Sequence, residues 1–308
     1  METLLLALST PFMVFLIIGE LVYSNFHNRK LYTTGDTFIN LVCTTWNFLN
    51  DLIFRGITLV ILTWVGKQSF LHFEAKDWYY WTLLFFAQDF AYYVLHMADH
   101  SIRFFWASHI THHSSEKFNF TVAIRSSVFQ PFYRFVFYIP LVLVGFEALD
   151  IVFMYALCQV YGFWVHTELV GKLHPVIEYF LVTPSHHRVH HGSNTKYLDT
   201  NMGMVLIIWD RIFGTFVEED KNTPVVFGLT SNMNSYHPMK VVFNEWRGIV
   251  TDIRKVSDFK SRFMYIFGRP GWSHDNSRKT SKELKKDFKL PPVSYFGSEE
   301  KDVFTRIL

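Results

Sequence analysis

Cysteine, charge and repetition are what this 308-residue chain has least of. Its two cysteines, Cys43 and Cys158, lie in or beside apolar stretches, which excludes a disulfide framework, a thiolate metal set and an iron–sulfur motif. Charged residues are 18% of the chain and the net charge is +2, so the balance gives no reason to invoke nucleic acid. There is no internal repeat, no glycine-rich nucleotide loop and no His-Pro-Gly-Gly haem motif, since His174 and His237 are followed by Pro-Val and Pro-Met. The chain carries no electron carrier of its own, and redox chemistry would need an outside donor.

What remains is apolar. Half the residues are hydrophobic and 19% aromatic, a membrane-protein composition, and a run of about 20 apolar residues can cross the hydrocarbon core. Leu4 to Tyr23 is one such run, with Glu20 near its end. It has no basic start and no small-residue cleavage site, so it reads as a span and not as a removable signal peptide. A second span runs from about Phe48 to Val65, opening with Asp51 and Arg55 at i, i+4 spacing, and a third from Trp78 to Leu95. Between Phe132 and Val165 two shorter apolar stretches, split by Gly145, Glu147 and Asp150, read as a half-deep helical hairpin.

Lysine and arginine in short loops set orientation. Arg29 and Lys30 follow the first span; Arg103, Lys117 and Arg125 follow the third. Both loops are then cytoplasmic. The expected fold is all-α and integral to the membrane, with transmembrane helices in 1–95, a histidine-rich domain in 96–216 that includes the hairpin 132–165, and a basic cytoplasmic cap in 217–308. In the cap, Val242, Phe243, Trp246, Ile249, Val250 and Ile253 recur at helical spacing, giving an amphipathic helix that rests on the membrane surface or on the cap's own core. Asp275 to Lys289 reads as a loose charged segment.

Three histidine clusters dominate the middle of the chain: His96 and His100; His109, His112 and His113; His187, His190 and His191. Positions i, i+3 and i+4 share a helical face, so each cluster is expected to aim its imidazoles at one point. Eight imidazoles exceed the ligand set of one ion, because a structural zinc takes four and a catalytic zinc about three; two metals are implied. Thr183, Pro184 and Gly192 supply a cap, a first-turn proline and a stop for the third cluster's helix. His166, at the end of the hairpin, is a ninth candidate; His186 and His174 are weaker ones, and His27, His72, His237 and His274 lie outside the pattern.

Ligating imidazoles usually give their second N–H to a carboxylate or carbonyl. Asp89, one helical face before His96, and Glu168 are candidates for that role, whereas Asp99 and Glu116 read at least as well as solvated loop charges. Imidazole suits zinc, copper, iron and nickel alike. A site beside apolar spans is placed to act on a lipid chain, and an unactivated C–H bond requires a redox metal and dioxygen. Two other classes stay open: a zinc-dependent membrane hydrolase and a bis-histidine haem carrier.

At these clusters the chain resembles the fatty acid hydroxylase and sterol desaturase superfamily of integral membrane di-iron enzymes, over roughly Asp89 to Phe216. Within it the chain is most similar to the alkylglycerol monooxygenase branch and its bacterial relatives, through Trp106 to Glu116, Phe163 to Glu168, Thr183 to Gly192 and Leu206 to Phe216. The resemblance implies two irons, dioxygen and hydroxylation, desaturation or ether cleavage of a lipid. It implies as ligands His96, His100, His109, His112, His113, His166, His187, His190 and His191, and it draws in Asp199 and Asn201, which match the stretch after the third cluster.

One departure stands out. The alkylglycerol enzyme has an acidic residue directly after the first histidine pair, where this chain has Ser101; the change bears on ether cleavage and its tetrahydropterin, not on the ligands. A fatty acid, sterol or carotenoid hydroxylase is the alternative within the superfamily. The external donor is a ferredoxin, a cytochrome or a pterin, and a bacterial inner membrane is expected over the endoplasmic reticulum.

Overall fold

The computed structural model describes residues 2–73 and 76–287, and among these it is helical, with no strand beyond two isolated bridges. Helix α1 (Glu2–Phe26) and helix α2 (Thr34–Gly66) are long and apolar enough to cross a membrane. Most of their large apolar side chains face outward: Leu8, Phe15, Leu52 and Ile53 are all exposed. α2 starts well before the expected Phe48, because Thr33 caps it by accepting from the Asp36 amide at 3.4 Å.

Helix α3 (Trp78–Ser101) has 24 residues. It turns its polar positions inward, so that Gln88, Asp89, His96, Asp99 and His100 are buried, and it is not apolar enough to be counted with α1 and α2. One extended residue, Ile102, separates α3 from helix α4 (Arg103–His113). A one-turn helix α5 (Phe120–Ala123) and two 3-10 turns lead into helix α6 (Ile139–Val144) and helix α7 (Ala148–Trp164). Gly145 makes the sharp corner of this hairpin at φ 113°, where a Cβ would lie 2.4 Å from the Leu71 carbonyl oxygen.

The main core fills the space between α2, α3, α6 and α7, around Leu62, Leu84, Val142 and Ile151. α3 and α7 run side by side in the same direction: Tyr80 near the start of α3 donates to Asp150 near the start of α7 at 2.8 Å. Their far ends therefore arrive together. Glu20, buried on α1, joins this end by accepting from the Phe120 amide at 2.8 Å and from the hydroxyl of Thr167.

Short helices α8 (Pro175–Phe180), α9 (Pro184–His190) and α10 (Ile208–Phe213) follow, then helices α11 (Pro238–Arg254), α12 (Phe259–Phe267) and α13 (Ser281–Asp287). The amphipathic helix expected around Val242 is α11. It packs on α4, α12 and α2, so its apolar face covers the histidine-bearing helix. Asp275 to Lys289 is not loose as far as residue 287: Thr280 and Glu283 cap α13 reciprocally, the Thr280 amide donating to Glu283 at 2.8 Å. Its last two residues, like 288–308 of the cap, lie outside the described residues.

Two of the arginines counted for orientation are not loop charges. Arg103 is buried and pairs with Glu245 at 2.6 Å and Asp252 at 2.8 Å. Arg125 is buried and pairs with Asp36 at 2.8 Å. Both hold the cap and α2 against α4, as buried charges must be paired.

Candidate metal centre

All nine histidines come together where α3, α4, α7 and α9 end. They form two groups whose nitrogens lie within 4.8 Å of one another: His96, His100, His109, His113 and His190 in the first, His112, His166, His187 and His191 in the second. The groups abut, the rings of His113 and His191 stacking at 4.4 Å between centroids.

Each three-histidine cluster is divided between the two groups, instead of aiming at one point. On α4 the i, i+4 pair His109 and His113 goes to the first group and His112 to the second. α9 does the reverse, sending His187 and His191 to the second and His190 to the first. The cause is helical geometry: i and i+4 nearly eclipse, while adjacent residues diverge by about 100°. Helix α9 exists to hold this fork. Thr183 and His186 form a capping box, Pro184 occupies the first turn, and Gly192 passes so close to Val189 and Tyr197 that a Cβ would sit 3.0 Å from the Val189 carbonyl oxygen. Thr183→Ala is expected to loosen this helix by about 1 kcal/mol, read as a lower thermal midpoint of the metal-free protein.

Backbone carbonyls fix which nitrogen faces inward. Nδ1 donates to the carbonyl of Met202 from His96 (2.8 Å), of Arg125 from His112 (3.1 Å), of Gly162 from His166 (2.7 Å) and of Thr200 from His190 (2.9 Å). A carbonyl only accepts, so these Nδ1 atoms carry the proton and each Nε2 is a bare lone pair. Burial, reinforced by neighbouring imidazoles, holds His109, His112, His113, His187, His190 and His191 well below the ordinary imidazole pKa. Neutral imidazole is the ligating form.

The lone pairs then face one another. His112 Nε2 and His166 Nε2 are 3.4 Å apart, and neither has a proton to offer the other. His190 Nε2 and His100 Nε2 are buried without any partner. Two nitrogens bound to one ion at about 2.1 Å lie roughly 3.0 to 3.4 Å apart for octahedral or tetrahedral angles. The contacts His96–His109 (3.0 Å), His109–His113 (3.1 Å) and His187–His191 (3.2 Å) fall in that range, with His166–His187 slightly shorter at 2.8 Å. Repelling acceptors at ligand spacing fit two cations.

The surrounding acids fall out unevenly. Asp199 meets His100 Nδ1 at 3.3 Å and accepts from the hydroxyl of Ser281 on α13. Asp89 touches no imidazole; it accepts from the Val205 and Leu206 amides and from the Trp209 indole at 2.9 to 3.1 Å, anchoring the turn that follows Met202. Asn201 bonds the backbone of His186 and Val217, and Glu168 is exposed. His186 turns away from both groups, 2.9 Å from Glu178. His174 caps α8, and His27, His72, His237 and His274 belong to neither group.

Asp99 is no solvated loop charge. It is fully buried, accepts from Gln130 at 2.8 Å and Tyr133 at 2.7 Å, and lies 3.7 Å from His109 Nδ1. Glu116 is exposed. Sequence reasoning also missed Ser127, whose hydroxyl is 3.0 Å from His109 Nδ1, and Asp210, which accepts from the Met202 and Gly203 amides at 2.7 and 2.8 Å and so steadies the carbonyl under His96. Asp210 stands in the string Leu206 to Phe216, but nothing in that string says what it holds. Phe118 stacks on His166 with centroids 5.5 Å apart, and Phe227 stacks on Phe118 in turn, shielding the second group from water.

An apolar groove of 430 Å³ opens between α3 and α7, lined by Phe85, Leu157, Cys158, Tyr161, Trp164 and Val205 among others. Its one hydroxyl, on Tyr161, is bonded to the Val182 carbonyl at 2.7 Å, so the wall is almost wholly apolar. Gly162, next to Tyr161 of this wall, packs on Met204, where a Cβ would meet the sulfur at 2.7 Å, and its carbonyl holds His166.

A family model described as fatty acid hydroxylase matches residues 81–215. Alkylglycerol monooxygenase of Homo sapiens is 38% identical over 273 residues, covering 88% of this chain and 60% of that protein. The protein of that name from Caenorhabditis elegans is 37% identical over 232 residues, 70% of this chain and 44% of its own length. An ornithine lipid hydroxylase of Rhizobium tropici is 25% identical over 146 residues, 47% of this chain and 44% of its own. This chain thus spans 60% of the human relative. No solved structure matches.

Proposed function

We propose that this chain, which a fatty acid hydroxylase family model matches over residues 81–215, is an integral membrane lipid monooxygenase of that family with two irons, similar in activity to alkylglycerol monooxygenase. The observation that carries this is the pair of buried nitrogen groups, above all the unprotonated Nε2 atoms of His112 and His166 facing each other at 3.4 Å. His96, His100, His109, His113 and His190 would hold one iron, and His112, His166, His187 and His191 the other. Bound iron supplies, with dioxygen and two outside electrons, the C–H oxidation that no side chain here can perform: one oxygen atom enters the lipid and the other leaves as water.

The protein's own contribution is positional. The carbonyls of Met202, Arg125, Gly162 and Thr200 fix the rings, Phe118 keeps water out, and the groove between α3 and α7 takes the alkyl chain. In the membrane arrangement proposed, α3 is a third span, α6 and α7 form a half-deep hairpin, and the site lies on the cytoplasmic side of a bacterial inner membrane. The donor is an external ferredoxin, cytochrome or pterin. Ser101 leaves ether cleavage and hydroxylation as two arms of one test.

That test is turnover of an alkylglycerol and of an acyl lipid by the purified protein in nanodiscs, under labelled dioxygen and with each reductant class. One labelled oxygen in the product and bound iron are expected. Product formed without oxygen uptake, by protein holding zinc, would overturn the assignment in favour of a hydrolase. In the same assay Leu157→Trp, which narrows the groove, is expected to raise KM for a long-chain lipid on the order of tenfold, a loss of about 1.4 kcal/mol of binding, with kcat little changed.

A further inference from the structure

Helix α12 leaves an aromatic stripe uncovered. Phe259, Phe263 and Phe267 recur at i, i+4 and i+8 and are 82%, 48% and 46% exposed. Their rings follow one another at 6.3 and 5.0 Å. The flanking sequence is cationic: residues 254–269 hold Arg254, Lys255, Lys260, Arg262 and Arg269 against one acid, Asp258. Apolar rings beside lysine and arginine on one short helix are the chemistry of an in-plane anchor on anionic lipid.

Where α12 sits names the partner. The Gly268 carbonyl at its end accepts from the Arg103 amide at 2.9 Å, and Arg103 is two residues past the end of α3. A ring contact also links α12 to the lipid-facing helices. From Phe54 on α2, rings step through Phe132 and Phe129 to Trp246 on α11, with centroids 3.9, 5.9 and 5.8 Å apart. Phe104 completes the path, 5.3 Å from Trp246 and 6.1 Å from Phe267. Ring contacts, mostly between half-buried side chains, thus connect the stripe to α2, on which the neighbouring Leu52 and Ile53 face outward.

We infer that α12 lies flat on an anionic membrane surface, its three phenylalanines in the acyl boundary and its lysines and arginines at the headgroups, fixing the height of the cap over the bilayer. The inference rests on the membrane reading above, and the experiment separates the two. The full chain carrying Phe263→Cys is spin-labelled in nanodiscs; the native Cys43 and Cys158 are buried and do not compete for label. Leu52→Cys on α2, 66% exposed in the native protein, and Ser257→Cys on the cap serve as references.

The label at 263 is expected to be reached by oxygen more readily than by a water-soluble nickel chelate, as at position 52, in nanodiscs containing phosphatidylglycerol. Lys260→Glu combined with Arg262→Glu is expected to reverse that preference. Nickel access at 263 equal to that at 257 overturns the inference and leaves the stripe to a soluble protein partner. Lipid burial indifferent to headgroup charge overturns its electrostatic part. Nickel access at position 52 would instead defeat the membrane reading itself.

Discussion

His109→Ala and His187→Ala are each expected to end lipid oxidation, and to lose metal from different places. His109 Nε2 lies 3.0 Å from His96 and 3.1 Å from His113; removing it opens the first group and leaves the second whole. His187 sits 2.8 Å from His166 and 3.2 Å from His191, so its loss opens the second. Changing even an outer partner of a metal ligand typically costs 10 to 100-fold in affinity or activity, so deleting a ligand should exceed about a hundredfold. Iron per chain is expected to fall from about two to about one in either variant, since one complete group remains. His190→Ala should behave like His109→Ala, despite lying beside His191 in sequence. Elemental analysis beside oxygen uptake checks this, and full activity in any of the three would refute the ligand assignment.

Asp199→Ala is expected to loosen only the first iron, by about 10 to 100-fold in affinity. Two of the nine histidines have a carboxylate near Nδ1, and Asp199 is the nearer, 3.3 Å from His100 against 3.7 Å from Asp99 to His109; it is held from behind by Ser281. Asp199 stands in the left-handed region at φ 45°, uncommon for a residue other than glycine, so its placement is imposed by the contacts around it. α13 is therefore a strap onto the first histidine group. Ser281→Ala should follow Asp199→Ala with a smaller effect, and Ser281→Thr, which keeps the hydroxyl, should restore native behaviour. Release to a coloured chelator is the readout: two matched phases in the native protein, one accelerated phase in Asp199→Ala. Equal acceleration of both phases would show that α13 merely stabilises the fold.

The histidine spacing was legible because side-chain ligands write their geometry into the sequence: i, i+4 pairs on one face, neighbours on diverging faces. The partners that orient the rings were illegible for the opposite reason. The carbonyls of Met202, Arg125, Gly162 and Thr200 belong to every residue alike, and only the folded path brings them to Nδ1. Asp99 and Asp89 show the same limit in side chains, since both are buried on α3, yet one reaches His109 and the other braces the turn at Val205. Arg103 and Arg125 look like loop charges in the sequence because a count of cations cannot see that Glu245, Asp252 and Asp36 come from distant segments to meet them. The charge of α13 suggests a loose segment, although Thr280 and Glu283 carry the spacing of a cap.

Glu20 joins the first apolar helix to the segment that bears His166, through Phe120 and Thr167. In the membrane arrangement proposed, a change of hydrocarbon thickness that tilts α1 is expected to shift the His166 ring, which the Gly162 carbonyl and Phe118 hold. Turnover of the proposed reaction is then expected to differ between nanodiscs of thin and thick bilayers, and equal rates in both would show that Glu20 transmits nothing to His166.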